Sequence, residues 1–97
     1  MIKVIVTNNK IEISGHANYD EYGKDIVCAS VSSIVITTIN ALIDIDENSI
    51  LYEDDNNKMT IKILKDDLIT KKLTNNMILL LEQLQNDYKD YIKIIRR

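Results

Sequence analysis

From Ile26 to Ile43 the chain runs for eighteen residues without a charge, and Asp25 and Asp44 close the run at its two ends. In a chain of 97 residues a run of this length has two destinations, a membrane span or a helix largely covered by protein. Six of the eighteen are Ser, Thr or Asn, and the run reads as a buried helix of a soluble protein. Asp25 is a good N-cap residue for a helix that continues to about Asp46. At about 100° per residue, Ser30, Ser33, Thr37, Asn40 and Asp44 fall on one narrow stripe. Val27, Val31, Ile34, Val35, Ile39 and Leu42 fall opposite it, with Ile36 and Ile43 on the flanks. The apolar arc is wider than half the cylinder. The helix is therefore expected to pack against more than one sheet face, the extra partner being a second helix or a second copy of the chain.

Around this helix the periodicity is that of strands. Ile2, Val4 and Val6 alternate with Lys3, Ile5 and Thr7; Asn8-Asn9-Lys10 supplies a turn, and Ile11 and Ile13 open a second alternating run. Residues 1–14 thus predict a hairpin. Gly15 to Lys24 has no periodicity and reads as a loop. Ile50–Glu53 and Met59–Leu64 read as strands joined by the turn Asp54-Asp55-Asn56-Asn57. Met77, Leu80, Leu81, Leu84 and Tyr88 recur at helical steps and predict a second helix over 70–89, and Tyr91 to Ile95 a last strand. The order β-β-α-β-β-α-β with tight hairpins predicts one α+β domain over 1–97, a mostly antiparallel sheet carrying two helices.

Charge and cysteine usage narrow the function classes. The net charge is −3 and the twelve basic residues are scattered apart from Lys71–Lys72 and Arg96–Arg97, so direct nucleic-acid binding is not expected. One cysteine and one histidine cannot form an intramolecular disulfide or a structural zinc site, and neither a metal nor another cofactor is expected. Both facts fit a reducing cytoplasm. Met1 to Asn9 lacks the charged segment and apolar core of a signal peptide. No membrane association is expected.

The single histidine stands in Ser14-Gly15-His16-Ala17, where a strand gives way to a loop, and the single cysteine follows in Asp25-Ile26-Val27-Cys28. With Asp25 as cap, Cys28 is the third residue of the helix, where unpaired backbone N–H groups and the positive end of the helix dipole favour a nucleophilic thiolate. A cysteine peptidase needs that thiolate, an imidazole to pair with it and protonate the leaving amine, and donors for the oxyanion. Spacing alone leaves a plainer alternative open, and favours it for the cysteine. Cys28 falls on the apolar face of the helix, where free cysteine is commonly a core residue, and a lone loop histidine is commonly a surface residue.

Gly15-His16-Ala17, then Tyr22-Gly23, Asp25-Ile26-Val27-Cys28-Ala29 and Val31-Ser32 resemble the ribosomal-processing cysteine protease family, Prp. The likeness is specific over residues 14–32. It implies a small α+β homodimer in which His16 and Cys28 are the catalytic pair, and Asp25 and Ser32 match an aspartate and a serine that support catalysis or substrate binding. It implies a substrate as well, the N-terminal extension of the large-subunit ribosomal protein numbered twenty-seven, which would otherwise block a functional part of the ribosome. Ser30 departs from the family's usual Ala or Gly, and Asn18-Tyr19-Asp20-Glu21 reads as a variable patch.

The residues suggest roles of their own. Asp25 as cap would bond the N–H of Val27 or Cys28 and point away from the sulfur. Ser32, one turn beyond Cys28, can contact substrate or bond back to the Cys28 carbonyl. Gly15 and Gly23 predict a loop that moves and gates the site, or simply turns. Nothing in the sequence names a third residue to orient His16. Two other functions stay open: a non-enzymatic ribosome-associated or peptide-binding module with an inert cysteine, and a thiol redox sensor, although the chain has no resolving cysteine.

Overall fold

Alternating apolar residues give five strands, and in the computed structural model, which describes residues 1–21 and 24–97, all five join one sheet. β1 (Ile2–Val6) and β2 (Lys10–Ser14) form the first hairpin, and β3 (Ile50–Asp54) and β4 (Lys58–Ile63) the second. β5 (Ile92–Arg96) closes the chain. The order across the sheet is β3-β4-β2-β1-β5. The sheet is mostly antiparallel, as the hairpins require, with one parallel pair: β5 runs alongside β1 in register from Ile2↔Ile92 to Val6↔Arg96. The pairing Ser14↔Lys58 sets the end of β2 beside the start of β4. That register brings the second hairpin's turn next to Gly15 and His16.

One face of the sheet carries Ile2, Val4, Ile11, Ile13, Ile50, Ile61 and Ile92, all buried. Two helices cover this face, α1 (Ile26–Ile45) and α2 (Leu68–Asp87). The other face is mostly polar, and there Glu12 lies between Lys10 at 2.7 Å and Lys58 at 3.5 Å. α1 places Val27, Val31, Val35, Ile39 and Leu42 in the core, the ridge that its 3- and 4-residue spacing requires. By length and composition α1 could cross a membrane, but this ridge is packed into the domain's own core. Its wide apolar arc is met by α2 on one side. Ile36 and Ile43 remain 39% and 41% exposed on the other.

The second helix differs from its sequence expectation by two residues at each end. It starts at Leu68 because the Asp67 carboxylate caps it, accepting from the Thr70 N–H at 2.8 Å. It ends at Asp87 because Tyr88 leaves the helical region at φ −133°, ψ 54°. Its buried face is also rotated from the expected one, comprising Thr70, Thr74, Met77, Ile78 and Leu81. Periodicity in apolar residues missed the two threonines. The Thr74 hydroxyl is satisfied within the helix by the Thr70 carbonyl at 2.7 Å, so burying it leaves no unpaired donor.

This face makes a direct prediction. Leu81 is wholly buried, whereas Leu80, which periodicity also placed on the core stripe, is 37% exposed. Leu81→Ala should lower unfolding free energy by about 2–5 kcal/mol in a urea titration, and Leu80→Ala by about 0.5 kcal/mol or less. Equal effects would show that the assigned face is wrong.

Candidate active site

Three pieces of chain converge at one end of the sheet: the loop leaving β2, the first turn of α1, and the turn between β3 and β4. Gly15 opens the loop at φ +85°, and a Cβ there would collide with the carbonyl oxygen of Met1. The glycine is thus required by a left-handed backbone and a close approach, which makes it a fixed corner of the site. Gly23, read from the sequence as the loop's second hinge, lies outside the described residues.

The Asp25 carboxylate binds the loop and the helix start to each other. One oxygen, Oδ1, accepts from the N–H groups of Val27 and Cys28, both at 3.0 Å. The other, Oδ2, accepts from Tyr19 N–H at 3.0 Å and Asp20 N–H at 3.5 Å. The cap expected from the sequence is present, and the same side chain also fastens the loop to the helix. Partial burial pushes this carboxyl upward, but the N–H donors of Cys28, Tyr19, Asp20 and Val27 together outweigh it and hold the group below its ordinary value. As the cap reading expects, the N–H groups of Val27 and Cys28 are occupied by Asp25, which takes both where the sequence called for either.

Cys28 is half-buried at the edge of the core, and His16 is exposed. The loop contributes a donor to the sulfur that sequence reasoning did not anticipate: Ala17 N–H points at Cys28 Sγ across 3.4 Å. The Ala17 side chain is itself buried, at 3% exposure, so this amide is pinned from behind. Among the described residues no hydrogen bond joins His16 to Cys28, but both line the same two cavities. The first, about 200 Å³, also takes in Gly15, Ser32, Asp54, Asn56 and Asn57. The second, about 490 Å³, takes in Asn18, Asp20, Asp25, Ala29 and Ser32. Ser32 is exposed and faces both, whereas the back-bond to a carbonyl is made by its neighbour Ser30, to Ile26 O at 2.7 Å.

The β3–β4 turn is a wall of the site that the sequence shows only as turn chemistry. Asn56 adopts φ +77° and donates its N–H to Asp54 at 3.0 Å. Asp55 accepts from the N–H groups of Asn57 at 3.1 Å and Lys58 at 2.8 Å. Its Asp and Asn residues are explained by the turn itself. Only the Ser14↔Lys58 register reveals that the turn borders His16.

A family model described as cysteine protease Prp matches residues 1–93. The chain belongs to the Prp family of cysteine proteases. The ribosomal processing cysteine protease Prp of Mycoplasma pneumoniae is 35% identical to it over 97 residues, covering 98% of this chain and 91% of that protein. The Prp of Bacillus subtilis is 31% identical over 93 residues, covering 86% and 80%. The fold agrees with that of the essential ribosomal processing protease Prp from S. aureus, solved with a covalently linked product peptide. The TM-score is 0.91 at 25% identity, covering the whole of both chains. The resemblance drawn from residues 14–32 thus extends over almost the entire chain, and the α+β architecture with its element order is that of Prp.

Because Asp25 is held below its ordinary value, its bonds contribute stability in the charged form. That contribution is complete above about pH 4, the unfolded value, and is lost as pH falls through the lower folded one. Wild type should therefore melt above Asp25→Asn at neutral pH, with the gap narrowing as pH drops below about 4. A gap that stays constant down to pH 3 would contradict the charged clamp.

Proposed function

We propose that the chain is a cysteine endopeptidase in which Cys28 is the nucleophile and His16 its proton-transfer partner. The observation that carries this reading is the convergence of both residues on the same two cavities, with the Ala17 N–H aimed at the sulfur. The inert-cysteine alternative would have the thiol sealed in the core. Cys28 instead opens onto cavities lined by polar side chains.

The steps follow from the groups present. Cys28 Sγ, as thiolate, adds to the scissile carbonyl of a bound peptide. The imidazolium of His16 gives its proton to the departing amine as the carbon–nitrogen bond breaks, leaving a thioester on Cys28. Water then adds to the thioester with His16 as base, releasing the carboxylate product and restoring the thiol. For this His16 must come within hydrogen-bond reach of Cys28, a closure that catalytic groups commonly complete only with substrate bound. Asp25 holds the loop and helix in register, and Ser32 contacts the peptide from the helix side. No metal or other cofactor takes part in these steps.

The substrate in this reading is the N-terminal extension of the large-subunit ribosomal protein numbered twenty-seven, processed in the cytoplasm without direct contact to nucleic acid. Relatives named as ribosomal processing proteases support a ribosomal substrate. A homodimer belongs to the same reading, supported by the exposed Ile36 and Ile43 seven residues apart on α1; a monomer by light scattering at micromolar protein would remove that part.

The test is cleavage of the extended ribosomal protein, followed by mass. Cys28→Ser and Cys28→Ala should bind substrate and leave it intact. His16→Ala should lose most turnover with its melting temperature unchanged, because His16 is exposed. Undiminished trimming by Cys28→Ala would falsify the reading. Were Cys28 only a core residue, Cys28→Ser would instead cost roughly 1–3 kcal/mol of stability and His16→Ala would be silent.

A further inference from the structure

The patch Asn18-Tyr19-Asp20-Glu21, which reads as variable loop, holds a contact that reaches across the molecule. The Tyr19 ring meets Tyr88 with centroids 5.5 Å apart at 87°, and Tyr91 at 5.0 Å and 78°. Both are edge-to-face arrangements, in which the positive ring edge meets the negative face of its neighbour. We infer that Tyr19 is a positioning residue for the reaction, its ring latched on a shelf formed by Tyr88 and Tyr91 so that the loop presents His16 to Cys28. The inference rests on the proposed reading of that pair.

The shelf is rigid. Tyr88 caps α2, and its carbonyl accepts from Tyr91 N–H at 3.0 Å and Ile92 N–H at 3.2 Å. The Tyr91 carbonyl in turn accepts from Ile2 N–H at 2.8 Å, which ties the shelf to β1. Tyr88 and Tyr91 are packed at the edge of the core. The latch itself is light, because Tyr19 remains 41% exposed, so losing it should not unfold the domain.

The latch acts on the site through short lengths of backbone. Tyr19 N–H is held by Asp25, Ala17 N–H points at Cys28 Sγ, and the Ala17 side chain is buried. The anchored residues, 17 and 19, alternate with His16 and Asn18, which are exposed and line the larger cavity. Removing the ring leaves Tyr19 held to the helix start through its backbone bond to Asp25. His16, three residues away, then loses one of the contacts that hold its loop in place. A misplacement of about 1 Å at a reacting group can cost on the order of a hundredfold in rate.

The experiment measures kcat and KM on a peptide spanning the processed junction for wild type, Tyr19→Ala, Tyr19→Phe and Tyr91→Leu, with Cys28→Ala as the blank. Tyr19→Ala should lose roughly ten- to a hundredfold in kcat with little change in KM or melting temperature. Tyr19→Phe keeps the ring and should keep kcat. Tyr91→Leu should lower kcat in the same direction, and the double variant should fall short of the product of the two losses, since both remove one contact. Amide exchange at Ala17 and Tyr19 should accelerate in Tyr19→Ala and not in Tyr19→Phe. An inactive wild type would overturn the protease reading and the latch with it. An active wild type, a dead Cys28→Ala and a Tyr19→Ala with unchanged kcat would overturn the latch alone.

Discussion

A single carboxylate joins the two parts of the chain that must act together. Asp25 accepts the first free N–H groups of α1 through one oxygen and those of the His16 loop through the other. A helix start always needs acceptors for its N–H groups, and an aspartate cap supplies them from within the chain. Here the second oxygen is used to dock a loop that has no periodic structure to hold it. The helix can bear that load because the Val27–Leu42 ridge is sealed into the core. The thiol, three residues beyond the cap, is thereby placed in a fixed relation to the loop amide of Ala17.

The same clamp changes how the helix terminus contributes to chemistry. Its N–H groups at Val27 and Cys28 are committed to Asp25, and a hydrogen bond to the sulfur comes from the loop instead. Thiol, loop and cap thus form one unit. A disturbance of the loop reaches the sulfur through the Ala17 amide, and a disturbance of the cap reaches His16 through the Tyr19 amide. The β3–β4 turn completes the enclosure from a distant part of the sequence.

Much of this is legible in the sequence. Alternation in Ile2–Val6 and Ile11–Ile13, the uncharged run from Ile26 and its Asp25 cap mark out the hairpin, the helix and the junction between them. His16 and Cys28 stand out because each is the only residue of its kind. What stayed hidden depends on register or on residues whose type does not announce their burial. Thr70 and Thr74 are in the core because a helical hydroxyl can satisfy itself on the preceding turn, and an apolar count passes over them. The parallel pairing of β5 with β1 joins opposite ends of the chain. Asn56 and Asn57 read as turn residues, and only the β2–β4 register makes them a wall of the site. Tyr19 finds its partners about seventy residues away, beyond the reach of any local pattern.

In the mechanism we propose, Cys28 carries the acyl group of the substrate. Peptide cleavage through a thioester leaves the N-terminal fragment on the enzyme between the two steps. Acid quenching within the first turnover, followed by intact mass and peptide mapping, tests this directly. The expected result is a transient adduct whose mass is that of the removed extension less one water, mapped to Cys28 and discharged on longer incubation. Cleavage that proceeds with no adduct, or with an adduct on any other residue, would contradict it.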